Sequence, residues 1–131
     1  MIDLQPTKCN LCCGDVDYIS NAAIYGGRRY GSGFCYRCRG CKAYVGTHER
    51  RPKEAFGILA NAEMRDMKMK CHSVFDNLWQ FRDERYRYRS KYYNALAEKL
   101  EIDKKNCHFG YFDMTLLKRA YEIIISGELE V

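Results

Sequence analysis

Three Cys-x-x-Cys spacings can be written in this chain: Cys9/Cys12, Cys35/Cys38 and Cys38/Cys41. Two such pairs, each on a tight turn, bring four thiolates to the corners of a tetrahedron. Zinc prefers that geometry, with Zn–S distances of about 2.3 Å. Each turn needs a small residue soon after its second cysteine, so that backbone N–H groups can face the sulfurs. Gly14 follows Cys12, and Ala43 follows Cys41. Residues 13 to 37 between the pairs fit a strand pair and loop, as in a zinc ribbon. An all-thiolate site has no open position for water, so one structural Zn²⁺ is expected.

The chain has 8 cysteines in 131 residues, which leaves the ligand set open. The spacing favours Cys9, Cys12, Cys38 and Cys41. Cys9, Cys12, Cys35 and Cys38 form the second choice, and Cys13 can replace Cys12 in either. Left over, Cys13 and Cys35 would pack as small hydrophobes. Residues 1 to 9 contain no apolar stretch of a secretory signal. That favours metal over disulfides and a cytoplasmic setting over a secreted one. The length suits one modest domain, for which a cross-link is valuable. The longest aliphatic run is Ile123-Ile124-Ile125, so no membrane partner is expected.

The two halves read differently. Residues 1–54 hold Cys9, Cys12, Cys13, Cys35, Cys38 and Cys41, with the short apolar runs 16–19, 23–25 and 44–45 between glycine turns. These runs predict short strands. Residues 55–131 carry helical periodicity. Met64, Met67, Cys71, Val74 and Leu78 form one stripe behind Asn61 as N-cap, with Trp79 as a core plug at its end. A second helix is predicted from about Ser90, with Tyr93, Leu96, Ala97 and Leu100 facing inward. A third starts at Asp113 or Thr115 and stops at Gly127. The expected fold is α+β: a β-rich zinc ribbon over 1–54, packed as one unit with about three α-helices over 55–131.

Charge is unevenly placed. Between Ile24 and Lys53 eight bases (Arg28, Arg29, Arg37, Arg39, Lys42, Arg50, Arg51 and Lys53) face one acid, Glu49. A second stretch, residues 82–93, interleaves five bases, Arg85 and Arg87 among them, with four tyrosines including Tyr86 and Tyr88. Arginine pairs with phosphates or carboxylates, and tyrosine stacks on bases or fills protein hot spots. Arg28, Arg29, Arg37, Arg39, Arg85, Arg87, Tyr86 and Tyr88 are therefore candidate partner contacts, for a protein or a nucleic acid. The alternatives are solvated surface for the first segment and, for residues 82–93, a solvated linker between helices, which Asp83 and Glu84 favour. No Gly-x-Ser-x-Gly, Walker A or His-Glu-x-x-His motif occurs, so no catalytic residue and no small-molecule substrate is assigned.

Several stretches together resemble a known family. They are Cys9-Asn-Leu-Cys12, Ile24-Tyr25-Gly26, and the run from Cys38 through Cys41 to His48. Gly57 to Arg65, His72 to Asp76, Leu78-Trp79, Arg89 to Leu100 and Cys107 to Asp113 complete the match. In this order they resemble a phage- and prophage-encoded zinc-finger-containing domain-of-unknown-function family. The resemblance places the zinc pairs on Cys9/Cys12 and Cys38/Cys41. Two positions depart from its pattern: Ala55 stands where proline is usual, and Glu101 where glycine is usual. Small phage proteins with structural zinc include inhibitors of host defence, among them anti-CRISPR proteins acting on Cas9.

The resemblance thus implies a non-enzymatic inhibitor bound to a host Cas9-type effector in an infected or lysogenic bacterium. A zinc-ribbon nucleic-acid-binding protein of phage regulation or replication is the alternative. A metal-dependent nuclease comes third. It would need His48, His72, His108 and Asp113 to converge as a second polar cluster, and the competing expectation is that these histidines only hydrogen-bond the ribbon to the helices.

Overall fold

The computed structural model describes residues 2–131, which divide into two compact units, Ile2–Glu63 and Met64–Val131. The first unit is built on three antiparallel strands in the order β1-β2-β3: β1 (Val16–Ser20), β2 (Phe34–Cys38) and β3 (Tyr44–Gly46). Val16 pairs with Cys38 and Ser20 with Phe34, while Cys35 pairs with Gly46. This register sets the metal site. The first Cys-x-x-Cys pair immediately precedes β1, and the second bridges β2 to β3, so pairing Val16 with Cys38 lays the two turns side by side. A one-residue slip would turn the side chains of β2 to the wrong face.

The run 23–25 is not a strand. Ser20 caps a single 3-10 turn, Asn21–Ala23, by accepting from the Ala22 N–H at 3.2 Å. The buried Asn21 amide then donates to the Tyr30 carbonyl (2.7 Å) and accepts from the Tyr30 N–H (3.2 Å). That reciprocal pair folds residues 22–29 back as a loop. Gly26 and Gly27 supply its positive φ values of 64° and 95°, which other residues adopt only at a cost.

Cys9, Tyr36, Cys38, Ala43, Val45, Ala55 and Leu59 form the ribbon core, with Val16 packed against it. The unit continues past residue 54 because the following chain is tied to it. Phe56 N–H donates to Gly46 (3.0 Å), and Tyr44 and Ala60 exchange backbone bonds. Ala55 N–H donates to Leu4 at 2.8 Å, a bond proline could not make.

The second unit holds three helices: α1 (Ala62–Trp79, beginning just inside the first unit), α2 (Arg85–Leu100) and α3 (Met114–Ile125). On α1 the buried residues are Met64, Cys71 and Phe75; Val74 and Leu78 of the predicted stripe are only half-buried, as is Trp79. Helix α2 begins well before Ser90, which lies exposed inside it. Its N-cap, Glu84, has left-handed backbone (φ 54°) and makes no side-chain cap, but its carboxylate pairs with Arg87 at 3.3 Å. The helix ends at Glu101, again left-handed (φ 57°), with its N–H turned back to Ala97 and Glu98. Glycine is the usual residue for such a stop. Asp113 caps α3 by accepting from Leu116 N–H at 2.9 Å, and Leu117, Ala120, Ile123 and Ile124 face its core.

Aromatic rings fill the centre of this unit. Phe75 lies 4.4 Å from Tyr93 and 5.4 Å from Phe109 between ring centroids, and Phe109 lies 5.8 Å from Phe112. The architecture is thus α+β, a β ribbon followed by three helices, as the pattern indicates. No helix among the described residues is long and apolar enough to cross a membrane.

Candidate metal centre

The two cysteine turns are built alike. Cys9 N–H donates to the Gly14 carbonyl (2.8 Å) and Cys38 N–H to the Ala43 carbonyl (2.9 Å). In each, the residue after the second cysteine takes a left-handed conformation: Cys13 at φ 63° and Lys42 at φ 67°. That twist turns amide groups back onto sulfur, and Leu11 N–H donates to Cys9 Sγ at 3.3 Å. Arg39 N–H donates to Asp15 at 2.9 Å and joins one turn to the other. The Asn10 amide clasps Leu59 through both backbone groups, at 2.9 and 3.0 Å. Asn10, between the first two cysteines, therefore fixes the first turn to the ribbon core.

The sulfurs of Cys9, Cys12, Cys38 and Cys41 all lie within 4.8 Å of one another. Cys9 Sγ is 3.6 Å from Cys41 Sγ, and Cys12 Sγ is 3.4 Å from Cys38 Sγ. A zinc tetrahedron with Zn–S of about 2.3 Å has sulfur–sulfur edges of ~3.8 Å, so the donor set fits one structural zinc. Electrostatics agree. Backbone N–H groups led by that of Cys41, helped by the Cys12 thiol, hold the Cys38 thiol down to about 6. The Gly14 N–H draws Cys12 the same way, but the crowding sulfurs of Cys38 and Cys41 and burial leave it raised. Four thiolates held this close would repel one another without a cation among them. Zinc at Cys38 competes with a proton for the sulfur, so affinity is expected to fall as pH drops, and the lowered thiol pKa extends binding to more acidic pH than an ordinary cysteine would.

Of the alternative ligands, Cys35 is excluded by strand geometry. It lies three residues from Cys38 on β2, hence on the opposite face. It is buried, and burial raises its thiol pKa. Cys13 is exposed and carries the turn's left-handed backbone instead of a ligand. Burial pushes Cys71 and Cys107, in the helical unit, up to about 11, so both are inert thiols.

Gly14 is small for steric reasons: a Cβ there would stand 3.0 Å from Cys38 Sγ and 3.2 Å from Cys12 Sγ. Gly14→Ala is expected to displace those sulfurs and lower zinc affinity at least tenfold, read by competition with a chelator. Gly40→Ala, whose Cβ would clear the same sulfurs by 3.8 Å, should change it little.

Each histidine meets an aromatic ring of its own unit. His48 packs edge-on against Phe56 (4.5 Å), His72 against Phe109 (4.9 Å), and His108 against Tyr111 (4.7 Å). Asp113 is committed to capping α3. Among the described residues, the four cysteines are the one group of three or more His, Cys, Asp or Glu whose ligand atoms converge. Desolvation also lowers His72 and His108 from the ordinary imidazole value, although both residues remain exposed.

The candidate partner residues divide by environment. Arg39 is engaged by both oxygens of Asp17 (2.8–3.0 Å), and Arg51 by Glu54 (2.8 Å). Strand pairing thus supplies acids from outside the basic segment and reduces its free charge. Arg37 sits directly across from Asp17 in the sheet. Arg28 is exposed, while Arg29 lies over the Phe34 ring at 4.5 Å and donates to Gly33. In the helical unit, Arg85 covers Tyr86 (5.0 Å), and Arg82 covers Tyr88 (4.4 Å). Arg89 covers Tyr93 (4.8 Å) and Trp79 (5.6 Å). The Arg/Tyr run, from residue 85 on, is the first half of α2 and not a linker.

A family model described as a zinc-finger-containing domain matches residues 5–126. No curated protein and no solved structure matches.

Proposed function

The chain belongs to this family of zinc-finger-containing domains, and from that premise we propose that it is a non-enzymatic inhibitor. It binds a protein of a host nucleic-acid-processing defence complex, with a Cas9-type effector as the specific target. The zinc staples the ribbon and does no chemistry. The observation that carries the reading is the arginine–aromatic array at the start of α2. Tyr86 is 66% exposed, and Phe81 just before the helix is 84% exposed. Tyrosine, tryptophan and arginine dominate protein hot spots. Arginines already held over rings lose less freedom on binding.

The test is target cleavage by a purified Cas9-type effector with the protein added in equimolar amount. Stoichiometric inhibition is expected, in a complex that survives nuclease treatment. Arg85→Glu/Arg87→Glu should weaken it by about 2–4 kcal/mol while zinc content and helicity stay unchanged. Unimpeded cleavage at saturating protein would rule the target out. Full inhibition by the double variant would show the array to be plain surface.

A further inference from the structure

We infer that the ribbon unit carries a second recognition site, a recess that takes one unpaired nucleotide of a single strand. It goes beyond the inhibitor reading and shares no residue with the α2 array. The recess has a volume of about 180 Å³ and is walled by Tyr25, Tyr30, Phe34 and Phe56, with Ser32 and Thr47 among its other lining residues. Drug-sized ligands need roughly 300–1,000 Å³, so this space accepts a single planar ring system.

Its walls are exposed aromatics on a fixed frame. Tyr30 is 55% exposed and Phe56 52% exposed, although both belong to a well-tied unit. The Asn21 amide holds the Tyr30 backbone through two bonds. Phe56 packs over Gly46, where a Cβ would stand 3.4 Å from its ring, and against His48. Ser32 and Thr47 hydroxyls lie 2.5 Å apart, so one donates to the other, and the proton of the accepting hydroxyl is free to reach the Phe34 carbonyl. These polar groups are thus already engaged. The open ring surface comes from Tyr25, Tyr30 and Phe56, since Phe34 is stacked on Tyr18 and covered by Arg29. Tyr25 and Tyr30 meet edge to face at 5.1 Å.

Charge decides the occupant. The Arg29 guanidinium sits over Phe34, a wall of the recess, and Arg28 is exposed beside it on the same loop. Neither forms an ion pair among the described residues. The one acid of this segment, Glu49, has a carboxylate oxygen 3.9 Å from where a Gly31 Cβ would stand and offsets only part of that positive charge. A flat ring with an anionic tail matches stacking walls and two arginines. Stacking on aromatics with arginine on the backbone is how single strands are held without sequence readout. A duplex keeps its bases stacked inside and cannot use such a recess.

The test titrates the intact zinc-loaded protein with a labelled single-stranded DNA decamer of adenine and cytosine. The same sequence as RNA, the DNA duplex and poly-glutamate are the comparisons. Either single strand is expected to bind more tightly than the duplex and poly-glutamate, and the tighter of the two strands identifies its natural source. Tyr30→Ala and Phe56→Ala should each weaken it about five- to a hundredfold. Arg29→Met should flatten the salt dependence. Zinc content and circular dichroism check that the variants are folded. Arg85→Glu/Arg87→Glu serves as the control that should leave strand binding nearly intact. Equal binding of single strand and duplex, or indifference to Tyr30→Ala in folded protein, would overturn the site. Poly-glutamate bound as tightly and equally sensitive to Tyr30→Ala would assign the recess to an acidic protein instead.

Discussion

Cys38→Ser is expected to yield protein without zinc and with an unfolded ribbon at neutral pH. Cys38 is 0% exposed and shares a core with Tyr36, Val45 and Leu59. Its sulfur also joins the turn that follows β2 to the one that precedes β1. A structural zinc supplies an apparent ~10–16 kcal/mol at neutral pH. That matches or exceeds the roughly 5–15 kcal/mol by which whole domains are stable. The sheet has three short strands, the last of three residues, and its apolar core is too small to replace the metal. Cys41→Ser should behave alike. Cys35→Ala is the informative control: it removes one buried sulfur from the other face of β2 and should cost about 1 kcal/mol with zinc retained. Loss of zinc from the Cys35 variant, with retention in Cys41→Ser, would reverse the ligand assignment. Circular dichroism and metal analysis on the purified variants decide it.

Phe75→Ala should produce the largest loss in the helical unit. Phe75 is fully buried and meets Tyr92, Tyr93 and Phe109, so truncation leaves a ring-sized void and removes three aromatic contacts. Such substitutions cost about 3–5 kcal/mol. For a unit of this size that lowers the melting temperature by well over ~10 °C. Phe81→Ala removes the same side chain at a surface position and should fall within about 0.5 kcal/mol of the parent. Thermal melts followed at the helical circular dichroism band give both values. A Phe75 variant as stable as the parent would mean that the aromatic cluster is not the core of this unit.

How far these features can be read in advance follows from local chemistry. The Cys-x-x-Cys turns announce themselves because zinc demands two close pairs, and Gly14 because sulfur crowds its backbone. The choice of Cys41 over Cys35 turns on side-chain alternation along β2. The run Phe-Cys-Tyr-Arg-Cys carries no clean apolar/polar alternation, since Cys35, Tyr36 and Cys38 are all buried. Helix α2 hides its beginning for a related reason: Glu84 provides no side-chain cap, and Ser90, the apparent cap, is an exposed interior residue. Phe75 escapes a stripe drawn through Val74 and Leu78, because three- and four-residue steps from Cys71 serve equally well and only tertiary packing selects between them. The Arg39–Asp17 and Arg51–Glu54 pairs show why a charge sum over a segment overstates free charge. Each acid lies outside the segment and is brought in by sheet or turn. The role of Asn10 leaves no local signal, since its partner, Leu59, is 49 residues away.

The central claim is a closed four-thiolate zinc site that staples the ribbon. Zinc-edge X-ray absorption on the natively purified protein tests it most directly. About one zinc per chain with four sulfur neighbours at about 2.3 Å is the expected result. Protein purified without zinc, or a metal shell containing nitrogen or oxygen, would contradict it.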